Sequence, residues 1–268
     1  MLHRVFTSRR ARMGALAATT ALALALAGCS QKRMTTGSLA DAEAGQASAQ
    51  QTQNLAIADK WAKAYKRDEA NPQVALGYGQ ALAATGRGRE AIDVYARALE
   101  HNPNDTELLS AYGRALAREK PGPQSIAVLE RADEAGTRDW SAYSALGASY
   151  DSVGRHKDAQ NAYKKALALK PDESAVLSNM GLSQALAGDI KAAETTLQRA
   201  NRAPDAAPQV RQNLALVYGM QGKFKEAEAE LAKDLGAQEA QANVRYMRQM
   251  LSQSNSWDAI KSAGKSRG

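Results

Sequence analysis

The side chains able to do chemistry in this 268-residue chain are few, and their spacing excludes most reactions. A single cysteine, Cys29, follows an apolar run, and the three histidines, His3, His101 and His156, are scattered. One cysteine and dispersed histidines supply neither a disulfide framework nor a metal set. HExxH, GxSxG and a phosphate-binding glycine loop are all missing, and the carboxylates fall on solvated helix faces, so the chain reads as no enzyme and needs no cofactor. Polar groups suited to recognition remain. Asn179 and Asn213 stand 34 residues apart, before Met180 and Leu214. Each carboxamide donates and accepts at once, which suits a peptide group. Arg114 and Arg118 lie one helical turn apart and can pair with an acidic side chain or a terminal carboxylate.

The elements that must position these groups are read from Trp140 to Asp172. Tyr143, Leu146, Gly147 and Tyr150, then Ala159, Ala162, Tyr163, Ala166 and Leu167, follow the three-and-four spacing of buried helix faces. Gly154 breaks the first helix, and Pro171-Asp172 stops the second. The expected packing has Gly147 and Ala159 bringing the two backbones close, with Tyr143, Tyr150 and Tyr163 filling the space around them. A step of 34 residues repeats the pattern: Gly147 recurs as Gly79, Gly113, Gly181 and Ala215, and Ala159 as Ala91, Ser125, Ala193 and Ala227. This period resembles the tetratricopeptide repeat (TPR). The resemblance implies an all-α fold, a right-handed superhelical solenoid of helix-turn-helix repeats. It also implies that the second, fifth, sixth and ninth residues of each first helix face a groove: Gln73, Gln80, Glu107, Arg114, Ser141, Ser144, Asn179, Gln209, Gln212 and Asn213. In peptide-binding members an asparagine at the phase of Asn179 and Asn213 clamps the ligand backbone.

Before the repeats, residues 1–28 carry Arg4, Arg9, Arg10 and Arg12 without an acid, then about fifteen apolar or small residues. Such a run is too short to span a bilayer. Leu26-Ala27-Gly28-Cys29 resembles the bacterial lipobox, so 1–28 reads as a lipoprotein signal peptide and Cys29 as the lipidated first residue, attached to a membrane by its acyl chains. Ser30, where aspartate would resemble an inner-membrane retention signal, points to the outer membrane. Losing four arginines takes the formal charge from +7 to +3 (7 minus 4), which removes the case for a nucleic-acid partner. Residues 29–53, rich in Gln, Ser and Ala, read as a disordered tether with room for a fraying helix within Leu39–Gln46.

The array then spans 54–252: a half-repeat cap at 54–71, repeats at 72–105, 106–139, 140–173, 174–207 and 208–239, and a capping helix at 240–252. A polar, mobile tail with Trp257 fills 253–268. In the cap, Ile57 occupies a small-residue position, which predicts no close crossing there. The second repeat is degenerate, with Lys120-Pro121-Gly122-Pro123 for the glycine turn, Ser125 for alanine and Thr137 for the closing proline; a stiffer, differently angled turn is expected.

The block VRQNLALVYGMQGKFKEAEAELAKDL with EAQANVRYMRQML, and Val176 to Ser183 upstream, resembles the TadD family, lipoproteins of tight-adherence (Flp) pilus assembly. The resemblance implies an exported outer-membrane lipoprotein facing the periplasm, acting like a pilotin on the secretin of a type IVb-like pilus. The alternative is a general periplasmic scaffold or regulator for envelope or cell-wall assembly.

Overall fold

The computed structural model describes residues 39–253, with side chains from 49 to 251. Cys29, the signal segment and the tail with Trp257 lie outside the described residues. The chain divides into two units, 1–44 and 45–268. Of the first, the described part is the opening of helix α1; the second holds everything that follows.

Twelve helices and no strand occur among the described residues: α1 (Leu39–Tyr65), α2 (Pro72–Ala84), α3 (Gly88–His101), α4 (Thr106–Glu119), α5 (Pro123–Glu134), α6 (Trp140–Ser152), α7 (His156–Leu169), α8 (Ser174–Leu186), α9 (Ile190–Asn201), α10 (Pro208–Met220), α11 (Phe224–Leu231) and α12 (Ala237–Gln253). The first helices of the five pairs, called A helices below, start at residues 72, 106, 140, 174 and 208, each 34 after the last. Side-chain caps fix the first three of these starts. Asn71 Oδ1 accepts from the Gln73 and Val74 amides, Asp105 from Leu108, and Asp139 from Ser141. Each cap satisfies an amide that the helix itself leaves unpaired.

Four of the five A helices end in one device. Gly154 takes φ 77°, and the Arg155 amide reaches back to Tyr150 O at 2.9 Å. The same bond joins Arg87 to Leu82, Asp189 to Gln184 and Lys223 to Tyr218. A left-handed residue at this point lets the chain turn sharply while pairing the last carbonyls. Repeat two differs, as its sequence predicts. Lys120 N–H bonds Leu116 O, and α5 starts at residue 123, one later than the 34-residue step from α3 requires. Its polar substitutions have partners. Gly122 N–H donates to Ser125 Oγ (3.1 Å), Ser125 to Ser149 Oγ (2.7 Å), and Ser149 to Ala145 O (2.9 Å), with both serines out of solvent. Thr137 Oγ1 lies 2.9 Å from Ser110 Oγ.

Within a pair, the glycine of the A helix lies under a large side chain of its partner. A Cβ on Gly147 would stand 2.5 Å from the Tyr163 ring, and one on Gly181 2.6 Å from Leu197. This refines the expected crossing, because Gly147 accommodates the Tyr163 ring rather than the backbone at Ala159. The core is therefore a chain of local clusters, each shared by neighbouring repeats.

Two expectations at the start of the array need correction. Helix α1 begins at Leu39, inside the stretch read as a disordered tether; its Ala, Gln and Glu content cannot form a core but has high helix propensity. Its packed face is also turned by one residue. Ala58 is 3% exposed and Ile57 41%, while Trp61 covers Gly77 and Tyr65 stacks near Tyr78. Ala58 rather than Ile57 is thus the buried residue at this turn of α1, with Ile57 facing solvent.

Candidate partner-binding face

The A helices α2, α4, α6, α8 and α10 pack side by side, with α12 next to α10, so equal register positions form rows across one face. Near its start this face holds a groove of about 540 Å³. Gln80, Glu107, Ser110, Arg114, Arg138 and Asp139 supply most of its polar lining, and Leu76 part of its floor.

Of the residues singled out by sequence, Gln80 is exposed in this groove. Arg114 lines it but already has partners. Its Nη1 donates to Ser141 Oγ at 2.9 Å, its Nε lies 3.3 Å from Asp139 Oδ2, and Ser141 Oγ in turn donates to Asp139 at 2.6 Å. Expecting it to receive an anionic ligand therefore needs correction, since its charge is met within the chain and it ties α4 to α6. Arg118, one turn on, is exposed and forms no ion pair or hydrogen bond with a described residue. Arg138, at the groove rim, is likewise exposed and unpaired. The Tyr95 hydroxyl is pushed up to about 12 by burial, against the opposing charges of Arg114 and Arg118.

The two asparagines differ. Asn213 is 8% exposed; its amide donates to buried Ser178 Oγ at 2.9 Å, and its carbonyl accepts from Gln209 at 3.2 Å. It fastens α10 to α8, which corrects the paired-clamp reading. Asn179 is half-buried and bonded to no described residue, and so are Ser144 and Gln212. These three unmet donors and acceptors stand on consecutive A helices, Ser144 and Gln212 at the fifth residue and Asn179 at the sixth, beside the Ser178 that Asn213 holds.

Sequence reasoning missed an apolar margin beside these groups. Counting along the A helices, the ninth residue is Ala148, Leu182 or Leu216 in repeats three to five, and the thirteenth is Ser152, Leu186 or Met220. Leu186 is 65% exposed, while Leu182, Leu216 and Met220 are half-buried. Helix α12 continues the register: Val244, Met247 and Leu251, which pack inward, stand 34 residues after Val210, Asn213 and Val217. Its Tyr246 (51% exposed) and Met250 (40%) therefore extend the rows of Gln212 and Leu216. The missed signal was the 34-residue step carried past the last full repeat.

One cluster resembles a nucleophile relay in its residue types. Asp151 accepts from Ser183 Oγ (2.7 Å) and Tyr163 OH (3.1 Å) and lies 2.8 Å from His156 Nδ1. Serine and histidine both end on the carboxylate, so no imidazole is placed on the serine hydroxyl as a triad requires. The cluster joins α6, α7 and α8. Among the described residues no group of three or more His, Cys, Asp or Glu side chains can hold a metal, and no helix is long and apolar enough to cross a membrane.

Two family models described as tetratricopeptide repeat match residues 72–115 and 144–209. No curated protein matches the chain in sequence. Among solved structures it is similar to PilW, described as a widely conserved type IV pilus biogenesis factor (TM-score 0.58, 20% identity, 65% of this chain and 82% of that one). It is also similar to YrrB, a TPR protein with an unusual peptide-binding site (TM-score 0.57, 16%, 74% and 100%). A thermophilic TPR protein of Thermus thermophilus aligns with TM-score 0.52 and 26% identity over 66% of this chain and 97% of that one. The fold is an all-α solenoid of tetratricopeptide repeats, an architecture that binds protein or peptide partners.

Proposed function

We propose that this tetratricopeptide-repeat solenoid is a lipid-anchored, non-enzymatic scaffold of tight-adherence (Flp) pilus biogenesis, of the TadD type. It holds a protein segment of the pilus secretion apparatus, with the outer-membrane secretin as the intended partner, and acts on it like a pilotin. Acyl chains on Cys29 hold it at the outer membrane, facing the periplasm.

The observation that carries the binding role is the set of half-buried, internally unpartnered side chains Ser144, Asn179 and Gln212 on three adjacent A helices. Half-buried polar groups without internal partners are satisfied when a backbone of opposite polarity lies across them. The pilus assignment draws on the lipobox and the C-terminal block of the sequence; PilW, a pilus biogenesis factor of like fold, is in keeping with it.

The test is crosslinking in isolated envelopes of the wild type, Asn179→Ala/Gln212→Ala and Cys29→Ser. Capture of the secretin or another pilus component, lost in the double variant, supports the whole reading. Loss in Cys29→Ser alone keeps the anchor and refutes the polar set. Capture of envelope proteins unrelated to pili would make the chain a general envelope scaffold.

A further inference from the structure

The A-helix face changes character along its length. Near its start, Arg114 and Asp139 cancel, while Glu107, bonded by the neutral amide of Gln73 at 3.2 Å, keeps its charge. Arg118 and Arg138 remain as exposed cations without a partner among the described residues. From α8 onward the margin holds no charge: Leu182, Leu186, Leu216, Met220, Tyr246 and Met250 occupy it. Three of the seven large apolar side chains most exposed among the described residues, Leu186, Tyr246 and Met250, fall on this margin. Apolar surface gathered beside unmet polar groups marks a binding surface, whereas isolated exposed apolar residues do not. At the other end Arg118 and Arg138 outnumber Glu107, so the net charge is positive and its complement is acidic.

We propose that this face takes an extended partner segment with an apolar run at one end, seated on that margin of leucine, methionine and tyrosine side chains, and acidic residues at the other, opposite Arg118 and Arg138. This rests on reading the A-helix face as the binding surface, and it makes α12 part of the site as well as the end cap. The segment's backbone runs over Ser144, Asn179 and Gln212. Adjacent helices stand roughly 8–10 Å apart, so the five helices from α4 to α12 span roughly 35 Å. An extended chain rises about 3.3 Å per residue, so roughly eleven residues cover the site. The polarity is fixed in space: acid toward α4, apolar toward α12.

A random twelve-residue peptide library displayed on phage, selected on the purified full-length chain, tests this. Enriched peptides should carry an apolar run with Asp or Glu clustered at one end. Synthesised with a fluorescein label, they should bind at least tenfold more weakly to Leu186→Glu/Met250→Glu. Binding to Arg118→Glu/Arg138→Glu should weaken likewise and become insensitive to replacing the acids with serine. All four positions are exposed, and unchanged circular dichroism establishes that the variants are folded. Peptides lost with Asn179→Ala/Gln212→Ala but indifferent to both glutamate variants would overturn the inference and leave the binding face standing. Peptides indifferent to every substitution on the face, or no enrichment, would overturn both.

Discussion

The contrast between Asn213 and Asn179 allows a decisive test, because one repeat phase carries two different jobs. Asn213→Ala removes the 2.9 Å bond to Ser178 Oγ and leaves that hydroxyl, 4% exposed, without its partner. Losing one member of a buried hydrogen-bonded pair costs about 1–3 kcal/mol. The Gln209 contact is nearer the surface and adds little. Asn179→Ala breaks no internal bond and should stay within about 0.5 kcal/mol of the wild type. For a chain of this size a change of about 1 kcal/mol moves the melting temperature by roughly 2–4 °C. Asn213→Ala should therefore melt several degrees lower by circular dichroism, and Asn179→Ala at the wild-type temperature. Partner capture should fail in Asn179→Ala/Gln212→Ala while that variant stays folded. Equal melting of the two single variants, or a larger loss in Asn179→Ala, would refute the assignment of Asn213 to the α8–α10 junction.

Further outcomes follow from the packing and the charges. Gly147→Ala forces a Cβ against the Tyr163 ring, which is 1% exposed and bonded to Asp151, so urea titration should show a loss of about 1–3 kcal/mol despite the better helix propensity of alanine. At Gly154, where nothing stands within 4 Å of an added Cβ but φ is 77°, alanine should cost about 1–2 kcal/mol through the backbone alone. Four carboxylates titrate below their ordinary values, the exposed Glu90 through its bond from Arg87 and three others that tie helices together. At Asp133, burial is outweighed by bonds from Lys165 and Tyr143; Glu194 is held down by Lys223, and Asp234 by Arg211. Their folded values are depressed, so their contribution is full above the ordinary 3.8 to 4.5 and fades as pH falls further; an acid melt should show it, and Lys165→Ala should flatten part of it. Tyr143 and Tyr150 run the other way: both are pushed up to about 12, first by burial and then by Asp133 and Glu130. Their contribution is complete below their ordinary 10 and is lost as pH rises through about 12, which an alkaline absorbance titration beside the melt would follow.

The 34-residue period was legible because small residues, turn glycines and caps recur for packing reasons, and every A helix starts where it requires. The degenerate second repeat was legible as well, although sequence does not reveal that Ser125 finds Ser149 on the next helix. The site was less open to reading. A register position says which face a side chain occupies, but whether it is free depends on the neighbouring repeat. Arg114 is taken by Asp139 and Asn213 by Ser178; Arg118 and Asn179 are not taken. Ile57 misled because α1 seats Ala58 and Trp61 on its packed face instead. The apolar margin went unread because polar residues were sought, and because α12 begins five residues ahead of the step from Pro208 to Ala242.

The constant interval between A-helix starts makes the molecule a ruler whose graduations can be edited. Duplicating 34 codons would insert one more helix into the face with every row still aligned, lengthening the recognised segment by about three extended residues. Adding or removing one residue within a repeat would instead rotate the following side chains by about 100° and scatter the rows. Reach can therefore change in whole steps without redesigning the contacts, and related chains would differ in how long a sequence they measure before they differ in how they read it.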